Sequence, residues 1–286
     1  MRADPLWQTR GVEQVLTLVV RVEKKARPSQ TDALETAARA VLAILADERS
    51  YGEGEWAEAM SAWQDNRIRK ITKRARGIEW RRAEALPGIT ITGTGVGAGG
   101  NERADEARGE GIGEARGEGA DEARGEGAGE SRGEGAGEAR GEGAGESRGE
   151  GGVPAEVRVF PPTGVDDVPP ELVKLQVSGT DFEDTADLPP LEPGVPVLWI
   201  NPALEMSSGK AMAQCGHAAQ LAWWSLPDAA RKDWQSSSFR LSVRTATPAH
   251  WSALLKTTLP VVQDAGFTEI APGSKTVIAD HPLLTR

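Results

Sequence analysis

Residues 204–219 read LEMSSGKAMAQCGHAA and follow a short apolar run, VPVLWI, at 195–200. The run is strand-like, so a strand is predicted over 197–201. The stretch after it predicts a helix over 209–224 whose start Ser207 or Ser208 can cap. The small residues Ala211, Ala213, Ala218 and Ala222 let that helix lie close to a sheet. Lys210, Gln214 and His217 stand at i, i+4 and i+7, so they share one helix face. Lys210 sits in the first turn, where the helix dipole disfavours a cation by about 0.3–1 kcal/mol. A residue placed against that gradient points to a ligand rather than to helix support. A phosphate loop does not fit, because G-x-x-x-x-G-K-[ST] fails at Leu204 and at Ala211. Cys215 reads as a small packing residue.

Downstream, helices are predicted near 227–234 and over 248–255, and strands over 239–244, 259–263 and 276–280. Short β-rich runs alternating with helices give an α/β sheet covered by helices. Residues 263–277 read QDAGFTEIAPGSKTV, a strand end, a loop with a glycine turn, and a resumed strand.

Together the two runs resemble the peptidyl-tRNA hydrolases of the archaeal and eukaryotic type, whose pattern is a G-K-x-x-x-Q-C-x-H-A helix followed by D-A-G-x-T-x-I-A-P-G-S-x-T-V. The resemblance covers nearly all of 196–282. It implies a mixed four-stranded sheet flanked by helices, and hydrolysis of the ester joining a peptide to the terminal ribose of tRNA, which recycles tRNA. It places Lys210, Asp264 and Thr268 in the catalytic positions, with Gln214 and His217 alongside. Asp264 would orient or activate water, and Lys210 and Thr268 would offer charge and a hydroxyl to the developing oxyanion or the ribose. No covalent intermediate, cofactor or metal is expected. The sequence departs from the family's usual K-M-G-K-G-K loop at Glu205–Lys210, and Phe267 and Glu269 stand where the family usually has Arg and Gln. These changes remove cations from the RNA side.

The first segment, 13–93 plus 153–162, resembles the second. Trp63-Gln64, Arg69, Ala75 and Trp80 fall on Trp234-Gln235, Arg240, Ala246 and Trp251 at one offset of 171 residues. Leu16, Leu18 and Glu23 fall on Leu198, Ile200 and Glu205 at 182, and 156–160 matches 275–279 in pattern. A duplication follows, with two related mixed four-stranded sheets and a degenerate first copy. On these offsets Arg27-Pro28 faces Gly209-Lys210 and Glu35 faces His217, so the first copy is expected to lack catalysis. Two copies in one chain imply a pseudo-dimer that runs as a monomer.

Between them, 94–152 holds an octad repeat, E-[AS]-R-G-E-G-[AI]-[GD], with too little apolar content to offset its ordering entropy. It predicts a disordered insert. Gly95, Gly97 and Gly100 match G-x-G-x-x-G, but octads follow where a dinucleotide site needs a helix. Residues 163–195, Pro-rich and acidic, predict a linker with a short helix near 171–175.

Of the net charge of −10, residues 100–152 contribute −8 through thirteen Glu, two Asp and seven Arg, leaving −2 elsewhere. The foldable part is nearly neutral and does not oppose an RNA ligand. The single cysteine excludes an internal disulfide, and no apolar run long enough for a membrane span occurs, so a cytoplasmic, membrane-free protein is expected. Cations cluster at Arg67, Arg69, Lys70, Lys73, Arg74 and Arg76, with Trp80 nearby, and suggest an RNA-backbone surface. The expected function is peptidyl-tRNA hydrolysis, with tRNA carrying a peptide as partner. A non-catalytic RNA- or protein-binding descendant of the same fold is the alternative.

Overall fold

The computed structural model describes residues 13–24, 26–98, 153–266 and 269–284. The octads lie outside them, as does Thr268.

Two mixed sheets form, each from four strands in the same order. In the first, β1 (Gln14–Arg21) pairs parallel with β2 (Lys70–Ala75) and antiparallel with a distant strand late in the half. Its order is β2-β1-β4-β3, completed by β3 (Ile89–Thr92) and β4 (Glu156–Val159), with a two-residue strand β5 (Thr163–Gly164) added to β1. In the second, β6 (Val197–Ile200) pairs parallel with β7 (Ser242–Thr245), and β8 (Val261–Gln263) and β9 (Lys275–Asp280) complete the order β7-β6-β9-β8. First strand to first strand and last to last, directions and neighbours correspond.

The correspondence extends to details that burial alone does not require. The helix α2 (Ala57–Gln64) and its counterpart α6 (Asp228–Ser236) each carry a buried tryptophan in the last turn. Trp63 donates its indole N–H to the carbonyl of Arg69, and Trp234 donates to that of Arg240, both at 2.9 Å. Ile68 and Phe239, also 171 residues apart, both take positive φ, at 47° and 57°. A bulky residue rarely adopts that conformation, and here both halves use it to lead into the second strand. Trp80 in α3 (Gly77–Glu84) and Trp251 in α7 (Pro248–Leu254) are buried against their own sheets.

Register corrects part of the sequence alignment. Val20 lies opposite Arg74, and Ile200 lies opposite Thr245. With the second strands held at 171, the first strands must be offset by 180, so Leu18 and Val20 correspond to Leu198 and Ile200. The offset of 182 keeps each side chain on the correct face, since it errs by an even number, but it is one pleat out of register.

The long helices sit between the sheets. α1 (Gln30–Ala46) packs along α5 (Ser208–Ser225), and each also touches the second strand of the other half, α1 with β7 and α5 with β2. One core joins them, including Leu18 and Val20 from one sheet, Leu198 and Ile200 from the other, and Val41 and Cys215 between. The outer faces are covered separately, by α3 with α4 (Pro170–Val173) and by α7. The alanines of α5 therefore serve a helix as well as a sheet. At Gly216 an added Cβ would lie 2.9 Å from Val41 Cγ2, too close for any side chain without movement.

The connecting segment 163–195 is packed rather than loose. Phe182 is buried, its N–H donates to Ser208 Oγ at 2.8 Å, and Asp184 accepts from Thr31 N at 2.8 Å and Thr31 Oγ1 at 2.7 Å. No helix among the described residues is long and apolar enough to cross a membrane.

Candidate active site

Ser207 is the residue that caps α5, accepting from Lys210 N at 3.2 Å. This fixes the first turn and sends the Lys210 side chain across the end of the sheet to the exit of β8. There Lys210 Nζ lies 2.6 Å from Asp264 Oδ2. Gln214, one turn on, donates Nε2 to the same oxygen at 2.9 Å, and its own Oε1 accepts from Thr276 Oγ1 at 2.6 Å. The other carboxylate oxygen accepts Gly266 N at 2.8 Å. Asp264 is thus buried but fully engaged, as a buried charge must be. The spacing of Lys210, Gln214 and His217 on one helix face is realised, since all three line one cavity of about 560 Å³ with Asp264.

Glu269 holds the start of α5 from the loop side. Its carboxylate accepts Ser207 N at 2.9 Å and Ser207 Oγ at 2.7 Å. A carboxylate suits a helix N-terminus, which gives this departure from the family pattern a local structural use.

The cavity has a second wall from the first half. Arg67, Arg69, Lys70 and Thr72 line it opposite Lys210. Lys70 is buried, with Nζ 3.1 Å from His217 Nδ1, bonded to Gln220 Oε1 and 4.7 Å from the centre of the Trp63 ring. Burial holds the Lys70 ammonium well below the usual lysine range. Burial, then Lys70 and Lys210, hold His217 well below the usual histidine range, so its ring is neutral. Nothing in the sequence signals this contact, which joins positions 147 residues apart. Burial raises the Cys215 thiol far above its ordinary range, and the residue is packing, as read.

The six cations of the sequence cluster do not share one face, because a strand turns successive side chains to opposite sides. Arg67 is exposed, and Arg69 pairs with Glu13 at 3.2 Å. Lys70 points to α5. Lys73 is buried on the opposite face, with Nζ on the carbonyls of Leu172 at 2.7 Å and Val173 at 3.3 Å. Arg74 donates to Gly179 O at 2.8 Å and to Gln176, and Arg76 is exposed ahead of α3. Thr268 is outside the described residues.

The first half carries a counterpart to each element of the site, with different groups. Ser29 caps α1 as Ser207 caps α5, so Asp32, three residues on, holds the place of Lys210. The ladders put Thr94, one past the pairing of Gly93 with Ala155, at the place of Asp264. Arg39, not Glu35, then matches His217, and Thr31-Asp32, not Arg27-Pro28, matches Gly209-Lys210. The turn leading into α1 is of a different length, which an alignment at constant offset cannot show.

Residues 195–285, from the lead-in to β6 to beyond the end of β9, match the family model described as Peptidyl-tRNA hydrolase PTH2. No curated protein matches the chain.

Proposed function

We propose that the second half hydrolyses the ester between a peptide and tRNA. The observation that carries this reading is the 2.6 Å approach of Lys210 Nζ to Asp264 Oδ2 at the wall of a cavity of about 560 Å³. A water entering beside Asp264 gives up a proton to the carboxylate as it attacks the ester carbonyl. The Lys210 ammonium then faces the developing oxyanion, where a preorganised charge is most effective, and collapse of that intermediate breaks the C–O bond to the ribose, whose oxygen takes the proton that Asp264 received. Gln214 and Gly266 keep the carboxylate aimed, and neutral His217 offers its ring to the substrate from the same helix face. Thr268 is assigned the ribose or oxyanion contact that the family pattern implies.

The first half is read as a non-catalytic copy that pairs with the second about a pseudo-two-fold axis and supplies Arg67, Arg69 and Lys70 as the far wall. Shared strand order, the matched tryptophan bonds and the reciprocal α1–β7 and α5–β2 contacts support this. The chain should then sediment as a monomer.

The test is hydrolysis of a peptidyl-tRNA by the purified protein and by Lys210→Ala. The expected loss is a factor of about 10²–10³, the scale of a removed oxyanion donor. RNA binding without turnover in the wild type would instead favour a non-catalytic descendant of the fold.

A further inference from the structure

Beyond the catalytic cavity, β2 leads to a second concave site. The first cavity takes residues 67–72, and Arg74 and Ala75 at the end of β2, with Arg76 after it, line another of about 270 Å³. Lys24 and Arg27 reach it from the turn before α1, and Lys174 from the segment after α4. Three stretches of chain therefore converge five cations on one small space. Two carboxylates share the lining, Glu23 and Glu79, leaving an excess of three positive charges. Glu23 is committed elsewhere, since its Oε1 accepts Gly77 N at 3.2 Å and Arg21 Nε at 3.2 Å. Lys24, Arg27, Arg76 and Lys174 are exposed, and gathering like charges costs free energy unless an anion joins them.

The two cavities share two rails. Along the chain, Thr72 of β2 lines one and Arg76, just past the end of β2, lines the other, about 13 Å apart at the rise of an extended backbone. Alongside, Lys174 and Gln176 line the basic cavity and Val177 the catalytic one, with Arg74 N donating to Gln176 O at 2.9 Å to tie the rails together. A span of that length is covered by about four stacked nucleotides.

We propose that the basic cavity is a phosphate subsite on the first half, gripping the backbone of an RNA strand whose end lies in the Lys210–Asp264 cavity. The assignment rests on the hydrolase reading for the strand's direction, but not for the grip itself. It gives the non-catalytic half a task, and it offsets the cations missing from the loop before α5. A free phosphate has the same chemistry but does not account for a track continuing to a second cavity.

The experiment measures binding of a fluorescently labelled single-stranded oligoribonucleotide across a salt series. Arg27→Ala/Lys174→Ala should weaken binding about tenfold and reduce the slope of log K against log salt by about 1.4, two phosphate contacts at about 0.7 each. Arg81→Ala/Arg82→Ala removes the same charge from exposed positions on α3 outside the cavity and should change the slope little. Equal effects of the two double variants would mean net charge alone is at work, and would overturn the subsite. Saturable binding of inorganic phosphate, lost in Arg27→Ala/Lys174→Ala while RNA affinity stays, would also overturn it. Peptidyl-tRNA hydrolysis is measured on the same wild-type protein, so RNA binding without turnover would count against the hydrolase reading and leave the subsite standing, whereas turnover with an unchanged salt slope in Arg27→Ala/Lys174→Ala would count against the subsite alone.

Discussion

At the start of α1 and the start of α5 the same backbone is put to opposite uses. In the second half a lysine on the helix reaches a carboxylate at the strand end, Lys210 to Asp264. In the first half the carboxylate is on the helix and the strand end is a threonine. Asp32 Oδ1 accepts Thr94 N at 2.8 Å, and Oδ2 accepts Ala155 N at 2.6 Å. Gly93 passes so close that an added Cβ would sit 2.3 Å from Asp32 Oδ2. Both of the Asp32 oxygens are thus taken by backbone that belongs to the fold, and the group acts as a staple between helix and sheet. Asp264 keeps one oxygen on Gly266 N, but its other oxygen is held by Lys210 and Gln214, side chains that line a cavity. Position in the fold does not make a carboxylate chemically useful; what satisfies it does.

The crossings between halves differ in the same way. On one side Lys70 of β2 meets His217 of α5. On the other, Glu35 of α1 accepts Val243 N of β7 at 2.9 Å and lies 3.6 Å from Arg244. Burial pushes the Glu35 carboxyl up to about 7, against the lowering effects of the Val243 N–H bond and of Arg244. A folded-state value above the unfolded one means tighter proton binding in the fold. The stability this group contributes is therefore full below pH about 4.5 and is lost as pH rises through about 7, roughly 3 kcal/mol in all. Glu35→Gln keeps an acceptor for Val243 N and removes the charge. It should raise stability at pH 8 by that order and flatten the slope between pH about 4.5 and 7 in denaturant titrations. An unchanged slope would show that this crossing is solvated rather than dry.

A smaller effect probes the seam itself. Gly216→Ala gains about 0.5–1 kcal/mol of helix propensity but forces a Cβ against Val41, an overpacking cost of about 1–3 kcal/mol. A net loss of about 1 kcal/mol is expected, with most of it recovered by adding Val41→Ala. Stabilisation by Gly216→Ala alone would mean that α1 and α5 are not in close contact there.

Much of this was legible in the sequence, and the reasons for the gaps are physical. Apolar runs and helix patterning located the strands and helices of the second half, and β6 falls within the predicted 197–201. Helix spacing put Lys210, Gln214 and His217 on one face, and the family resemblance supplied Asp264. The tryptophan matches at 171 gave the second strands correctly, because Trp63 and Trp234 each bond the carbonyl six residues on. What one-dimensional reading missed depends on turns and on the third dimension. Turns of unequal length shifted the first-strand and helix equivalences, so Asp32 was hidden behind Arg27-Pro28. Strand alternation split the basic cluster and buried Lys73. The far wall of the cavity is built by a half whose sequence gives no sign of facing α5. That 163–195 packs against both helices was also not visible, because its Pro and acidic content masks single anchors such as Phe182 and Asp184.

The asymmetry between the two carboxylates is the center of the account, and one comparison tests it most directly. Hydrolysis of a peptidyl-tRNA is measured for the wild type, Asp264→Asn and Asp32→Asn at the same pH and salt. Asp264→Asn should be slower by about 10² or more, the scale of a lost general base. Asp32→Asn should hydrolyse at the wild-type rate while unfolding more easily by about 1–3 kcal/mol, since an amide N–H₂ would face a backbone N–H in the staple. Wild-type turnover in Asp264→Asn, or a loss in Asp32→Asn as deep as that in Asp264→Asn, would contradict the assignment of the working site to the second half.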